Sequence, residues 1–589
     1  MTTDTIPGRL MSHALTRPEA PAWWSHHQGQ WVATPWRLAV ERVRTAARAL
    51  LALGLHPGDR VCILGFNCEA WVTADLAAMA AGGVPAGIYE TCSAEEVAFI
   101  LDHAEAAICF VQDATLLARL RDGEGSRRAL RTIVLFPGAE PVDDPQVLSW
   151  EAFLARAEDV SEGALDQRLA ALDEHGPATF IYTSGTTGPP KAVMLTHRNL
   201  AWTAAQATAL GQVVPDDRTL SYLPLCHIAE LMFTVLVPVT AGGQAWFARS
   251  HDSLPEDLKA VQPTVFLGVP RVWEKMHAAI TVRLAQANGA RAWLVRWAMG
   301  VSRAVHAARN QGAPVGTMLA LQHRLATRLV FGKVKAALGL GAARFCVSGA
   351  APISAEVLSF FTGLDLTIHE VYGQSEGSGP SSFNRPGSTR FGTVGTAFPG
   401  TQLRIAPDGE VLVNGPNVFL GYFKDPQATD AALQDGWLHS GDLGSLDEGG
   451  FLRITGRKKE IIITAGGKNV APANIEAALK DLPLVSQAVV LGDRRRFLSA
   501  LITLDPQALQ EHLGAEPPAD PMSLPELVAE LQRGVDRVNE RFARVEHIRR
   551  FTLLPGDFTV EGGELTPTLK LKRRVVEERH AALIEAMYA

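Results

Sequence analysis

The sequence predicts an α/β protein whose chain closes with a small α+β unit. Three observations carry this. Helical and strand-like patterns alternate through most of the chain, as in parallel sheets covered by helices. Hydrophobic residues make up 47% and charged residues 20% of 589 positions, a globular composition with ample chain for a large core. The texture changes twice, near Gly392 and after Gly456.

Each element follows in order. Segment 37–55, RLAVERVRTAARALLALGL, is an amphipathic helix that ends at a glycine, and RVCILGF (60–66) follows as a strand. AAICFV, RTIVLF, TFIYTS, TVFLGV and RFCVSG are short β-rich runs, mostly followed by helical patterns or glycine turns. Segment 402–423 reads as a β-hairpin around Asp408-Gly409. KKEIIITAGGKNV, helix ANIEAALKDL, and strands VSQAVVLGD and LSALITLD form the closing unit. The boundary falls near Gly456 to Lys459, giving domains 1–456 and 457–589.

Composition excludes several classes. With 55 Lys+Arg against 62 Asp+Glu the net charge is −7, so no basic excess points to nucleic acid. None of the six cysteines forms CxxC, which argues against a zinc site or a disulfide framework and fits a reducing cytoplasm. Asp, Arg and Pro interrupt the N-terminus where a secretory signal needs an apolar stretch. The longest uncharged run, Leu231 to Ala248, contains Pro238, Gly242 and Gly243 and reads as a buried helix, a turn and a buried strand rather than a membrane span. Between Lys275 and Ala355 there are eleven Lys or Arg and no Asp or Glu, with Trp293, Trp297, Met318, Leu321 and Leu325 at helical spacings. This is either a solvated basic helical hairpin or a surface for anionic lipid or polyanionic substrate.

The strongest chemical signal is Thr183-Ser184-Gly185-Thr186-Thr187-Gly188-Pro189-Pro190-Lys191, entered from a β-run. Glycines let backbone amides approach a phosphate, hydroxyls donate, and the lysine supplies charge. The string is not a Walker A loop. It resembles the signature of the adenylate-forming superfamily, and within it the long-chain and bubblegum-type fatty acyl-CoA synthetases. Further motifs follow in that family's order. Tyr372-Gly373-Gln374-Ser375-Glu376 resembles the element whose ring stacks on adenine and whose carboxylate holds Mg²⁺. Gly349-Ala350-Ala351 resembles the small-residue wall of the adenine pocket. Asp442 and Arg457 match the residues that reach the ribose, Lys459 the hinge position, and Lys570 the mobile catalytic lysine. Pro270-Arg271-Val272-Trp273-Glu274-Lys275 is similar to a string of the long-chain and bubblegum-type enzymes.

The resemblance covers about residues 25 to 585. It implies a large N-terminal domain of layered α/β subdomains plus a β-barrel-like part, with a small mobile C-terminal α+β domain. It implies ATP-dependent activation of a medium-to-long-chain fatty acid through an acyl-adenylate, then transfer to coenzyme A with release of AMP and pyrophosphate. Mg²⁺ would be held by Thr183 and Glu376, His227 would border the carboxylate, and Gly467 would line a pantetheine tunnel. Beside the resemblance, cysteine usage points to a cytoplasmic setting, and the unbalanced positive charge of 275–355 points to reversible peripheral contact with anionic membrane.

Three departures stand out. Ala192 replaces a usual glycine, Lys468 a frequent acidic residue, and Leu231 the gating tryptophan of long-chain enzymes. No Asp lies between Ser221 and Ala248, which argues against an amino acid substrate.

Alternatives stay open: a fatty acyl-AMP ligase that loads an acyl carrier protein, or an inactive nucleotide-binding scaffold. Gly373-Gln374-Ser375-Glu376-Gly377 also matches the hydrolase G-x-S-x-G elbow, but three Gly and two Pro in the twelve residues from Gly377 to Ser388 oppose the helix that motif needs.

Overall fold

The computed structural model describes residues 4–589 apart from 124, 126, 184–188, 287, 467, 515, 517, 560, 561 and 567–570. Its largest sheet has eight strands. From one edge they run Gly421–Tyr422, Lys191–Thr196, Pro177–Thr183, Val84–Ile88, Arg60–Leu64, Ala106–Val111, Thr132–Leu135 and Val147–Leu148. Pairing from Pro177–Thr183 through Val147–Leu148 is parallel. The strands Ala106–Val111 and Val84–Ile88 are buried at every position, because helices cover both faces. One cover, Glu69–Ala80, is buried along its length after Glu69. The helix expected at 37–55 forms as Trp36–Ala52 and turns Ala39, Val43, Ala46 and Leu50 inward.

A second sheet orders Val265–Leu267, Phe345–Ser348, Ile368–Gln374, Gly379–Phe383 and Thr396–Ala397. The first three are parallel and the last two antiparallel. After Ser375 comes only a short turn, Ser375–Gly377, and then a strand, so the hydrolase elbow has no helix to open. The 402–423 hairpin forms, with Gln402–Ile405 against Glu410–Asn414. These strands join Trp437–Leu446 and its neighbours in an open five-stranded sheet, so the barrel-like part is not a closed barrel.

The run Leu231 to Ala248 folds as the end of helix Ile228–Leu231, a π-turn Met232–Leu236, helix Val237–Ala241 and strand Gln244–Phe247. Gly242 between the last two adopts a left-handed φ of 72° that favours glycine. Among the described residues no helix is long and apolar enough to cross a membrane.

The closing unit packs helices Pro472–Lys480 and Pro525–Asn539 on strands Val485–Leu491, Leu498–Leu504 and Ile548–Leu553. Its own core includes Ile475, Leu479, Val490, Ile502 and Val535. The basic segment is covered by helices Pro270–Ala285, Gly289–Asn310, Thr317–Ala326 and Gly332–Ala337, the last two joined by the π-turn Thr327–Phe331.

Candidate active site

The cleft forms at the carboxyl ends of parallel strands from two sheets, where an open α/β sheet leaves a crevice. Thr183 ends one strand, Ser348 another, and Gln374 a third. The cleft has a volume of about 2290 Å³ and is bordered by Thr183, Lys191, His227, Gly349, Ala350 and Ala351. Tyr372, Gly373, Glu376, Asp442, Arg457 and Lys459 border it as well.

Strands Pro177–Thr183 and Lys191–Thr196 pair antiparallel with Thr183 opposite Lys191. The loop between them therefore leaves and returns at one point, and the Thr183 hydroxyl lies 3.5 Å from the Lys191 carbonyl that accepts from it. Ser184, Gly185, Thr186, Thr187 and Gly188 lie outside the described residues. The Lys191 ammonium pairs with Asp425 Oδ2 at 2.9 Å and sits 5.0 Å from the Tyr422 ring centroid. The Tyr422 hydroxyl donates to Glu376 Oε1 at 2.8 Å. Tyr422 thus touches both the cation and the carboxylate expected around a triphosphate. Burial, with the Glu376 charge next, pushes its phenol above the usual tyrosine range.

Asp442 has both oxygens engaged. Tyr372 Oη donates to Oδ2 at 2.8 Å and Arg457 Nε to Oδ1 at 3.0 Å. Strand register sets this up, with Asp442 opposite Arg457. A carboxylate with two oxygens side by side suits a vicinal diol. Burial, and then the Asp442 charge, holds the Tyr372 phenol well above its ordinary value, so it remains a donor.

The small residues here are sterically required. A Cβ on Gly349 would lie 2.6 Å from Val371 Cγ1, and one on Gly373 would lie 1.7 Å from the Gly379 carbonyl oxygen. Ala350 has a φ of +71°, uncommon for a residue with a Cβ and typical of a functional site.

His227 caps the helix Ile228–Leu231, its Nδ1 accepting from the Ala229 amide at 3.2 Å. The segment that carries it is fixed by a buried polar network. Glu230 accepts from Ser221 Oγ at 2.8 Å and Thr234 Oγ1 at 2.7 Å, and Asn67 donates to Ser221 and to the Leu223 carbonyl. Burial pushes Glu230 up to about 7. The apolar side chains of Leu223, Phe233, Leu267, Val272, Met276 and Ile280 line the same cleft.

Lys459 lies on the exposed turn Lys458–Glu460 that follows strand Leu452–Arg457. Gly467 and Lys570 lie outside the described residues. Their neighbours differ in position: Thr566, Leu571 and Lys572 border the cleft, whereas Gly466 lies outside its lining.

Among the described residues no group of three His, Cys, Asp or Glu is arranged to hold a metal. Mg²⁺ does not require one, because it binds through one or two carboxylates plus phosphates and waters. Glu376 in the cleft, with the Thr183 hydroxyl, fits that pattern.

Sequence reasoning missed Tyr422, Asp425 and Glu230. Asp425-Pro426 is a helix-start signal, and Asp425 does cap helix Pro426–Ala432. Nothing local in the sequence ties it to Lys191.

The AMP-binding enzyme family matches residues 11–423, and its C-terminal domain matches residues 459–589. The chain belongs to the AMP-binding enzyme family. It is 40% identical over 600 residues to long-chain-fatty-acid–CoA ligase FadD15 of Mycobacterium tuberculosis, covering 99% of this chain and 97% of that one. It is 35% identical to long-chain-fatty-acid–CoA ligase ACSBG2 of Homo sapiens, covering 100% of this chain and 93% of the relative. In fold it is similar to the A domain of carboxylic acid reductase from Segniliparus rugosus, solved with AMP and a co-purified carboxylic acid. That match has a TM-score of 0.77 at 20% identity and covers 99% of this chain and 94% of the other. MatB from Rhodopseudomonas palustris, solved with ATP, gives a TM-score of 0.70 at 24% identity, over 99% and 100% of the two chains.

Proposed function

We propose that this chain is a long-chain fatty acid–CoA ligase that forms AMP. The observation that carries the reading is one cleft joining Lys191 and Glu376 to the Asp442–Tyr372–Arg457 group, with an apolar wall alongside. In the first half-reaction a fatty-acid carboxylate oxygen attacks the α-phosphorus of ATP, and the bond to pyrophosphate breaks. In the second, the coenzyme A thiolate attacks the acyl carbon, and the acyl–oxygen bond breaks to release AMP.

Each residue has a proposed part. Asp442 and Arg457 hold the ribose, Tyr372 and the Gly349–Ala351 wall face adenine, and the 183–191 loop with Lys191 cradles phosphates. In the resting cleft Asp425 holds the Lys191 ammonium near the Tyr422 ring, from which it turns to phosphate. Mg²⁺, when bound at Glu376 and Thr183, would neutralise phosphate charge. His227 positions the acyl carboxylate. Lys570 reaches the α-phosphate in the first step, and the backbone at Gly467 lines the thiol path in the second. We assign 1–456 to the adenylation domain and 457–589 to the mobile domain, with Lys459 as hinge. The placement of Thr566 and Lys572 at the cleft, and of Gly466 away from it, supports an adenylate-forming posture.

No observation favours a carrier-protein acceptor, and the relatives above are named as CoA ligases. Peripheral membrane contact through 275–355 is the localisation we propose. The test of function is a pyrophosphate-release panel over acids from acetate to oleate, with and without coenzyme A. Long-chain acids should give the highest kcat/KM, with AMP and an acyl-CoA as products. Formation of ADP would overturn the reading.

A further inference from the structure

The basic segment carries a surface whose apolar face is turned outward. Of the fourteen large hydrophobic side chains exposed among the described residues, six lie between Val282 and Leu329. Four of them, Met318, Leu321, Leu325 and Leu329, recur every three or four positions and form one stripe on helix Thr317–Ala326 and the π-turn Thr327–Phe331 that continues it. Trp293 is 61% exposed on the neighbouring helix Gly289–Asn310, where its ring stacks on Trp297 with centroids 6.4 Å apart. An amphipathic helix in a globular protein normally buries such a stripe.

The opposite side of this pair of helices is held to the body by buried small and apolar side chains, among them Ala298, Val301, Val305 and Ala326, and by polar bonds. Asp365 accepts from His306 and His323, each at 3.0 Å, and from Lys335 at 2.7 Å. Ala298, Ala326, Val330 and Phe331 pack beneath. The helices are therefore anchored as a platform with the stripe outward.

The charge around the stripe has one sign. Of the eleven cations from Lys275 to Ala355, Lys335 pairs with Asp365 and Arg344 with Asp217. No described ion pair reaches the other nine. Arg291, Arg296, Arg324, Arg328 and Lys333 are exposed beside the apolar side chains. Unpaired cations around exposed Trp, Met and Leu complement a surface that is anionic outside and apolar beneath. A second copy of the chain fits poorly, because a two-fold contact would set like charges against each other.

We propose that the face formed by Trp293, the Met318–Leu329 stripe and the arginines around them docks reversibly on an anionic lipid bilayer. The choice of a bilayer gains its purpose from the fatty-acid reading, but its test uses no substrate and so fails or succeeds separately. The apolar side chains enter the headgroup region and the arginines meet lipid phosphates, giving docking without insertion.

Co-sedimentation of the full-length protein with phosphatidylcholine vesicles, with and without phosphatidylglycerol, tests this. Binding should appear only with the anionic lipid and weaken between about 0.1 M and about 0.5 M salt. Each headgroup contact contributes roughly fivefold in partitioning. The variant R291E/R296E/R324E/R328E should therefore lose on the order of 100-fold or more. Leu321→Ser with Leu325→Ser should lose about tenfold. Trp293→Ala, at an exposed position that cannot unfold the chain, should weaken binding severalfold. Pyrophosphate release with octanoate should be unchanged in all three. Unchanged vesicle binding by the charge variant would overturn the proposal, whether or not its KM for coenzyme A rises. So would a stable dimer in sedimentation velocity that the stripe variant abolishes.

Discussion

At the scale of single residues, the site combines legible and illegible parts. Lys191, Glu376, Asp442 and Arg457 are readable because a phosphate, a metal and a diol each demand a residue type at a fixed place in a motif. Tyr422 and Asp425 are not, because their meaning comes from partners 46 and 234 positions away. Glu230 is likewise invisible in sequence, where it is one acid before an apolar run. In the structure it is 2% exposed and burial raises it to about 7 from 4.5. The folded chain therefore holds this proton more tightly than the unfolded chain does. Stability falls as pH climbs from about 4.5 through about 7, by on the order of 3 kcal/mol. Glu230→Gln, which keeps the uncharged form, should match the wild-type melting temperature near pH 5 and exceed it near pH 8. A difference that is the same at both pH values would contradict the burial of an ionisable carboxyl there.

At the scale of elements, the strands and the two-sheet crevice are legible from alternation and from glycine turns. The outward stripe is not, because a 3.6-residue period marks a face without saying which side of the helix meets the core. Nor is the irregularity between Tyr372 and Gly373, where the register of strand Ile368–Gln374 against Gly379–Phe383 shifts. That shift brings the Gly379 carbonyl against Gly373 and turns the chain so that Tyr372 meets Asp442 while Glu376 meets Tyr422. Gly373→Ala must displace backbone rather than a side chain. It should cost on the order of 3 kcal/mol in urea unfolding and raise the KM for ATP at least tenfold. A variant with native stability and native KM would show that the close approach is not needed.

At the scale of the whole molecule, the two-part organisation is legible in the change of texture after Gly456, but the contact between the parts is not. Arg271 Nη1 donates to the Ser486 carbonyl at 3.1 Å and Nη2 to Ser486 Oγ at 2.7 Å, and its guanidinium lies 3.6 Å from Asp557. Lys480 approaches Glu274 at 3.7 Å. These bonds join helix Pro270–Ala285 to the closing unit while Thr566, Leu571, Lys572, Arg573 and Arg574 border the cleft. Arg271→Ala should slow adenylate formation by about tenfold, the effect of losing a charged hydrogen bond, and leave thioester formation from supplied acyl-adenylate unchanged or faster. Equal slowing of both half-reactions would show that the contact does not select one domain posture.

The central claim, acid activation through an acyl-adenylate in this cleft, is tested most directly by the fate of the carboxylate oxygen. Palmitate labelled with ¹⁸O in its carboxyl group would be turned over with ATP, Mg²⁺ and coenzyme A, and the products analysed by mass spectrometry. Attack on the α-phosphorus followed by thiolysis leaves one labelled oxygen on AMP and none in pyrophosphate. Label in pyrophosphate or inorganic phosphate, or unlabelled AMP formed together with palmitoyl-CoA, would contradict it.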